Sequence, residues 1–318
     1  MPTPERKLKI LYVGNFSPNS VGEPEIAWAL EKLGHQVDRM PETGTTVNDV
    51  KAKLLQREKY DFLLFAKFRV GTGDEVRGLF KEMRGMKIPS VCWLFDLYWG
   101  YRREYEIRVN MLPAFAADIV FTTDGGHDNM FKKYGINHFL LRQGIDENVK
   151  MGKPIYPTKA EIGFIGSRHT WAGWPYRGQM LDFIEQAYGD RFQHFGSDGN
   201  LRHEDLNNLL ATLKITISDS VYSPNYWSNR IYEMIGRGGF TVQFRIEGLE
   251  KEFEEFKHFI PYKLGNFKDL KQKIDYYLEN DEDREKIRKA GFDYCHKNHT
   301  YTHRVKELLR MLEEKKII

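Results

Sequence analysis

Two cysteines in 318 residues are too few for a disulfide framework, and Cys92 sits inside an apolar, strand-like run at 89–95. A reducing, cytoplasmic setting is the simple expectation. Long apolar runs are missing as well. None approaches the roughly 18 residues that a membrane-spanning helix needs, and the mean hydropathy is −0.58. The opening stretch 1–9 is charged and lacks the apolar centre of a signal peptide. No charge of one sign dominates. The net charge is +3, with 23 Lys and Arg against 20 Asp and Glu in residues 1–155 and 25 against 25 in the rest. So small an excess does not demand a nucleic-acid partner. Its tilt toward the first half fits an anionic acceptor and surface noise equally. Low-complexity segments and short repeats are absent too. What is left is an ordinary globular balance, 41% hydrophobic and 29% charged, over a length that suits two domains.

Strands and helices alternate through the first half. Apolar runs at 8–13, 36–39, 60–66, 90–95, 119–122 and 138–141 read as strands, and helical spacing at 24–33, 47–57, 74–84, 103–116 and 126–134 separates them. Gly152, Pro154 and Pro157 mark 151–158 as a linker. The alternation then restarts, with strands at 161–165, 192–195, 213–217 and 240–244 and helices at 175–188 and 203–212. Helices follow at 248–256, 267–278, 281–297 and 301–315, the last amphipathic through Val305, Leu308, Leu309 and Leu312. Strand and helix in strict turn predict an α/β architecture of two Rossmann-like, doubly wound parallel-sheet domains facing across a cleft. In such sheets ligands bind outside the carboxyl ends of the strands. Both halves carry a polar, Gly-containing loop there: Gly14-Asn15 in the first, Gly166-Ser167-Arg168 in the second.

The most informative stretch runs over 218–240. A loop rich in Ser, Pro and Asn leads into a helix with Asn229 and Arg230 in its first turn and Glu233 in its middle, ended by Gly236 and Gly238-Gly239. The first backbone N–H groups of a helix have no internal partner and the dipole adds positive potential, so this arrangement suits an anion. A carboxylate further along the helix suits the paired hydroxyls of a sugar. Together these features suggest a sugar-nucleotide site.

The run Ser228-Asn229-Arg230-Ile231-Tyr232-Glu233, followed by Gly238-Gly239-Phe240, resembles the C-terminal half of glycosyltransferases with the GT-B fold, in particular the CgeB-like (spore maturation protein) branch of the group 1 families. Glu247-Gly248-Leu249, His299-Thr300-Tyr301-Thr302-His303-Arg304, Ala117-Asp118-Ile119-Val120-Phe121-Thr122-Thr123-Asp124 and 141–146 are similar to the same branch. The resemblance implies an acceptor-side domain over 1–155, a nucleotide-sugar-binding domain over 156–298, and a final helix over 299–318 that crosses back onto the first domain. It also implies a metal-independent enzyme without cofactor that moves a sugar from a nucleoside diphosphate sugar, UDP-linked, to an acceptor hydroxyl with retention. It leaves the acceptor open between a glycan, a small molecule, a protein and a modified DNA base. No clear Asp-x-Asp metal pair stands at a strand end, and Asp281-Glu282-Asp283 reads as the charged first turn of a helix. Many group 1 enzymes carry two glutamates flanking seven residues. Glu233 matches the second, which in the family holds the ribose hydroxyls, whereas Asn225 stands where the first falls. The donor sugar therefore does not carry over.

Each candidate also has a plainer reading. Glu233 is an acceptor for a ribose diol or an exposed helix residue. Arg168, Arg177 and Arg230 are cations for a diphosphate, since guanidinium pairs bidentately with phosphate oxygens. They read equally as surface residues, with Arg230 paired to Glu233 or Asp219. Gly166, Ser167, Ser223, Asn225, Ser228 and Asn229 are nucleotide contacts or loop and cap residues, and Gly14 holds the corresponding place in the first half. Gly196, within Phe195-Gly196-Ser197-Asp198-Gly199, is expected by the nucleobase. Trp171-Ala172-Gly173-Trp174-Pro175-Tyr176 is either a stacking platform or a hydrophobic loop. Asp96, before Tyr98 and Trp99, is a candidate for acceptor contact together with Asp124 and His127, and if the reaction inverts one of these, or another Asp, Glu or His, is the general base. Asp124 and His127 follow the next strand. His299 and His303, with Glu307, are spaced either as a metal cluster or as part of the crossing helix. Three rivals remain at this stage: the same chemistry on a modified DNA base, a non-catalytic sugar-nucleotide-binding protein, and a sugar-nucleotide epimerase.

Overall fold

A computed structural model describes residues 6–18, 20–56, 59–66, 70–99, 112–168, 176–196 and 201–318. The chain folds as two units, Met1–Gln143 with Tyr301–Ile318, and Gly144–Thr300. In the first unit β1 (Lys9–Gly14), β2 (Gln36–Pro41), β3 (Phe62–Phe65), β4 (Ser90–Trp93), β5 (Ile119–Thr122) and β6 (His138–Leu140) form one parallel sheet in the order β2-β1-β3-β4-β5-β6. Every residue of β3, β4 and β5 is buried. Both faces of a wound sheet are covered, so such strands read as unbroken apolar runs. β2 lies at the edge, partly exposed, where its terminal Pro41 is tolerated.

Helices α1 (Glu23–Lys32), α2 (Val47–Leu54), α3 (Gly73–Met86) and α4 (Asp128–Lys133) belong to this unit. α2 and α3 open on capping boxes. Thr46 with Asp49, and Thr72 with Glu75, exchange side-chain and backbone bonds that satisfy N–H groups lacking a helical partner. Of the helix expected over 103–116, Pro113–Ala116 is a 3-10 turn and 103–111 lies outside the described residues.

In the second unit β7 (Ile162–Phe164), β8 (Phe192–His194), β9 (Ile215–Ser218), β10 (Thr241–Phe244) and β11 (Ile260–Tyr262) form a parallel sheet in the order β11-β10-β9-β7-β8. Its helices are α5 (Tyr176–Tyr188), α6 (His203–Thr212), α7 (Arg230–Gly236), α8 (Phe267–Glu279) and α9 (Asp281–Asn298). β11 escapes the sequence reading because it is three residues long and contains Pro261, which an edge strand can hold. The helix expected over 248–256 shrinks to a 3-10 turn at Leu249–Lys251. Gly248 before it has φ +95° and Phe256 after it φ +61°, geometries that a continuous right-handed helix excludes. Leu249 and Phe253 are both buried, so their spacing reported burial rather than helix.

Residues 151–158, expected as a linker, pack on α6. Lys153 N donates to Asn208 Oδ1 at 2.8 Å and Tyr156 N to Thr212 Oγ1 at 3.1 Å. Gly152 approaches so closely that a Cβ there would lie 2.1 Å from the Asn207 carbonyl. After Thr300 the chain returns to the first unit as α10 (Tyr301–Glu314), whose Val305, Leu308 and Leu312 bury against Ile26, Ala27 and Leu30 of α1. Both sheets are doubly wound, as expected, and each has one point where the strand order reverses: between β1 and β3, and between β7 and β9. Ligands of such sheets bind beyond the carboxyl ends of the strands at that point.

Candidate functional site

β7 ends at Phe164 and β9 at Ser218, so Gly166 and Asp219 stand just past the switch point of the second sheet. The Asp219 side chain is wholly buried between two arginines. Arg177, in the first turn of α5, donates from Nε to Asp219 Oδ2 at 2.7 Å and from Nη1 to the Ser167 carbonyl at 3.0 Å. Arg230, the first residue of α7, donates from Nη1 to Asp219 Oδ1 and, at 3.3 Å, to the Asp219 carbonyl. The Phe164 ring lies beneath both guanidiniums, 5.5 Å from that of Arg177 and 5.0 Å from that of Arg230. Gly166 has φ +136°, and a Cβ there would sit 2.5 Å from Arg230 Nη2. Glycine thus supplies both the backbone geometry and the room that Arg230 occupies.

A carboxylate taken this far out of water costs several kcal/mol unless it is paired. Two guanidiniums pair it and leave one positive charge in excess. Burial and the neighbouring Arg177 draw the Arg230 pKa below its usual value while Asp219 opposes them. An arginine nevertheless stays protonated at neutral pH. Among the described residues, Nη2 of Arg177 and Nη2 of Arg230 make no protein hydrogen bond. The arrangement can therefore take an anion that presents several oxygens.

One turn along α7, Glu233 shares the face of Asn229 and Arg230. Its Oε2 accepts from Arg237 Nε at 2.6 Å and its Oε1 from Asn229 Nδ2 at 3.4 Å. Arg237 is itself anchored to Asn207 Oδ1 at 2.8 Å. Each Glu233 oxygen keeps a lone pair beyond these bonds, and the side chain is 16% exposed. α7 has seven residues, and Asn229 makes no side-chain cap. The positive potential expected from a helix start comes here from the guanidiniums instead.

Other expected residues are placed differently. Arg168 turns to α5 and binds Asp182 and, at 2.8 Å, Glu185, whose two negative charges outweigh its own. Ser223-Pro224-Asn225-Tyr226 is a tight turn: Tyr226 N donates to the Ser223 carbonyl at 3.2 Å and Asn225 has φ +55°. Proline second and a positive φ third is the type II pattern. Asn225 N also donates to the Glu247 carbonyl at 2.7 Å, so these two residues shape the loop. Ser228 Oγ donates to the Asp219 carbonyl at 3.3 Å and helps return the chain to Arg230. Ser167 offers its carbonyl to Arg177. Gly196 follows β8 with φ +20°; residues 197–200 and 169–175, including Trp171 and Trp174, lie outside the described residues. His299 binds Glu252, with Nε2 3.0 Å from its carbonyl. Among the described residues no three His, Cys, Asp or Glu side chains are grouped as metal ligands.

In the first unit Gly14 ends β1 so near Glu23 that a Cβ would meet Glu23 Oε1 at 2.7 Å. Asp96 is exposed after β4. The unusual carboxylate there is Asp124, wholly buried after β5. It accepts from Trp99 N at 2.6 Å and Tyr98 N at 2.9 Å. Its pKa is raised to about 7 by burial, against the pull of those N–H groups, Thr122 and Arg142. Thr122 Oγ1 lies 2.7 Å from His138 Nε2, and His138 Nδ1 lies 2.8 Å from Asp128 Oδ1. The His127 carbonyl accepts from Met130 N and Phe131 N at the start of α4.

In the sequence Asp219 pairs only with Arg230, and its second arginine leaves no pattern there. The available signal was its place, the first residue past a central strand. A hollow of about 520 Å³ lined by Lys251, His258, Tyr294 and Lys297 contains none of the residues around Asp219.

Residues 177–310 match the family model described as glycosyl transferase-like. No curated protein matches the chain significantly. Among solved structures, the chain is similar to HepE of Anabaena in complex with UDP and glucose, at 15% identity and TM-score 0.65 over 96% of this chain and 100% of that one. It is similar to sucrose-phosphate synthase of Thermosynechococcus elongatus, at 11% identity and TM-score 0.66 over 97% and 99%. It also resembles an alpha-glucosyltransferase in complex with UDP and a 13-mer DNA, at 11% identity and TM-score 0.64 over 96% and 100%. At these identities the likeness is one of fold.

Proposed function

We propose that this chain of GT-B-like fold is a glycosyltransferase that moves a sugar from a UDP-linked donor to an acceptor hydroxyl, a reading supported by the family match over 177–310 and the likeness of fold. The observation that carries the reading is the excess positive charge at the switch point of the second sheet, where Arg177 and Arg230 share Asp219 and where, among the described residues, their Nη2 atoms make no protein hydrogen bond. The UDP complexes among structures of like fold support the choice of nucleotide. In the reaction the bond between the anomeric carbon and the diphosphate breaks, and negative charge builds on the leaving diphosphate. Fixed guanidiniums meet that charge best as it forms. The acceptor oxygen bonds to the anomeric carbon and its proton passes to the departing diphosphate. Retention is part of the proposal and rests on the group 1 resemblance. Metal independence is part of it too, because the two arginines offer the charge that a cation otherwise brings.

Glu233 is the proposed ligand of the ribose diol, two hydroxyl donors facing one carboxylate. Glu233→Gln keeps an acceptor for Arg237 and removes the charge. It is expected to weaken UDP by about 1.5–3 kcal/mol, the range for a charged hydrogen bond. Titration calorimetry with UDP and 2′-deoxy-UDP checks this. The wild type should prefer UDP and the variant should lose most of that preference. Equal preference in both proteins would place the ribose elsewhere.

A further inference from the structure

Arg177 and Arg230 come from different helices, α5 and α7, and nothing in the sequence forces their guanidiniums together. Two like charges over one phenyl ring repel. The group they share is a single carboxylate, with one oxygen for each arginine and no exposure to solvent. Asp219 cannot touch a ligand from that position. It lies behind the guanidiniums, tied to the loop through its own carbonyl, which accepts from Arg230 and Ser228. The Tyr262 and Tyr176 hydroxyls lie 3.0 Å apart and feel its charge: burial raises their proton affinity, and Asp219 adds to that rise.

Building on the donor-site reading, we propose that Asp219 is a positioning residue for sugar transfer. It fixes the spacing and orientation of the two guanidiniums before a nucleoside diphosphate arrives and cancels half of their charge. These two roles act in opposite directions on binding and on turnover. Alignment serves the leaving diphosphate, whose charge is greatest in the transition state. Charge cancellation weakens the hold on any anion in the ground state. Removing the carboxylate charge without changing the shape therefore separates the two.

The test compares wild type with Asp219→Asn, using UDP for binding and the hydrolysis of UDP-glucose, UDP-galactose and UDP-N-acetylglucosamine for turnover. Thermal unfolding confirms that the variant is folded. The expected result is a kcat at least about tenfold lower, a loss of one aligned charged donor's worth of stabilisation, with UDP bound at least as tightly as by the wild type. A merely structural carboxylate lowers both in proportion to the folded fraction, so a parallel loss of kcat and UDP affinity overturns the proposal. An unchanged kcat in a folded variant overturns it as well. If Asp219→Asn does not fold, Asp219→Glu carries the test, with charge kept and the arm one methylene longer. It is expected to bind UDP as the wild type does and to lose turnover, and unchanged turnover contradicts the proposal. A wild type that binds no UDP and hydrolyses none of the three sugars overturns the donor-site reading itself, and this inference with it.

Discussion

Arg230→Ala is expected to lower kcat/KM for the sugar nucleotide by about 10²–10³, the usual loss when one preorganised donor is removed from a developing anion, while the protein stays folded. The second half of that expectation follows from charge. Removing Arg230 leaves Asp219 with Arg177 at 2.7 Å, a matched pair in the same buried place. Removing both arginines leaves a buried carboxylate alone, which costs several kcal/mol and endangers the fold. Arg230→Lys keeps the charge but loses the planar fork that reaches Asp219 and a phosphate oxygen at once, so it should recover only part of the activity. Steady-state kinetics beside a thermal unfolding curve check the pair. A folded Arg230→Ala enzyme within a few-fold of wild type would remove the site from the reaction.

The second large effect concerns stability in the first unit. Asp124 has a folded pKa of about 7 because it is buried, whereas an unfolded Asp titrates near 3.8. Between those values the folded protein holds a proton that the unfolded chain has lost. Its contribution to stability is therefore fully present below pH 4 and is lost as pH rises to about 7. Three pH units at about 1.4 kcal/mol each set its size at up to about 4 kcal/mol. Nearby His138 acts with the opposite sign. Burial lowers its pKa to about 4, so the unfolded chain binds the extra proton and stability rises with pH between about 4 and 6.5. The informative quantity is thus the difference between wild type and Asp124→Asn. Asparagine cannot ionise and still offers an oxygen to the Tyr98 and Trp99 N–H groups. Denaturant unfolding from pH 4 to pH 8 should show the variant gaining on the wild type as pH rises, by an amount of that order. Parallel curves would mean that Asp124 is ionised in the folded protein throughout.

Much of the architecture was legible in the sequence because wound parallel sheets announce themselves. β3 is an unbroken apolar run, and β4 and β5 are apolar but for Ser90 and Thr122 at their ends, as expected of strands with both faces covered. β11 was not legible, since three residues with a proline carry no periodicity. Glu233, Arg177 and Arg230 stand out as candidates by residue type, place and family resemblance. Arg168 shows the limit of that route. In the sequence it is as good a phosphate ligand as Arg177, and only the fold brings Asp182 and Glu185 onto it. The turn at Ser223-Pro224-Asn225-Tyr226, in contrast, was written in its residues, since Pro-Asn is a type II pair. Asp219 was underrated because one sequence neighbour, Arg230, already explained it. The second arginine reaches it from α5, a contact that only the wound topology supplies.

The most direct measurement is a calorimetric titration of UDP into the wild type and Arg230→Ala, both in excess EDTA. The expected result is saturable, one-to-one binding by the wild type without divalent metal and an affinity at least about tenfold weaker in the variant, one charged hydrogen bond or more. Wild-type binding that vanishes in EDTA would contradict the metal-independent site. Equal binding by both proteins would move the diphosphate away from Asp219 and its two arginines.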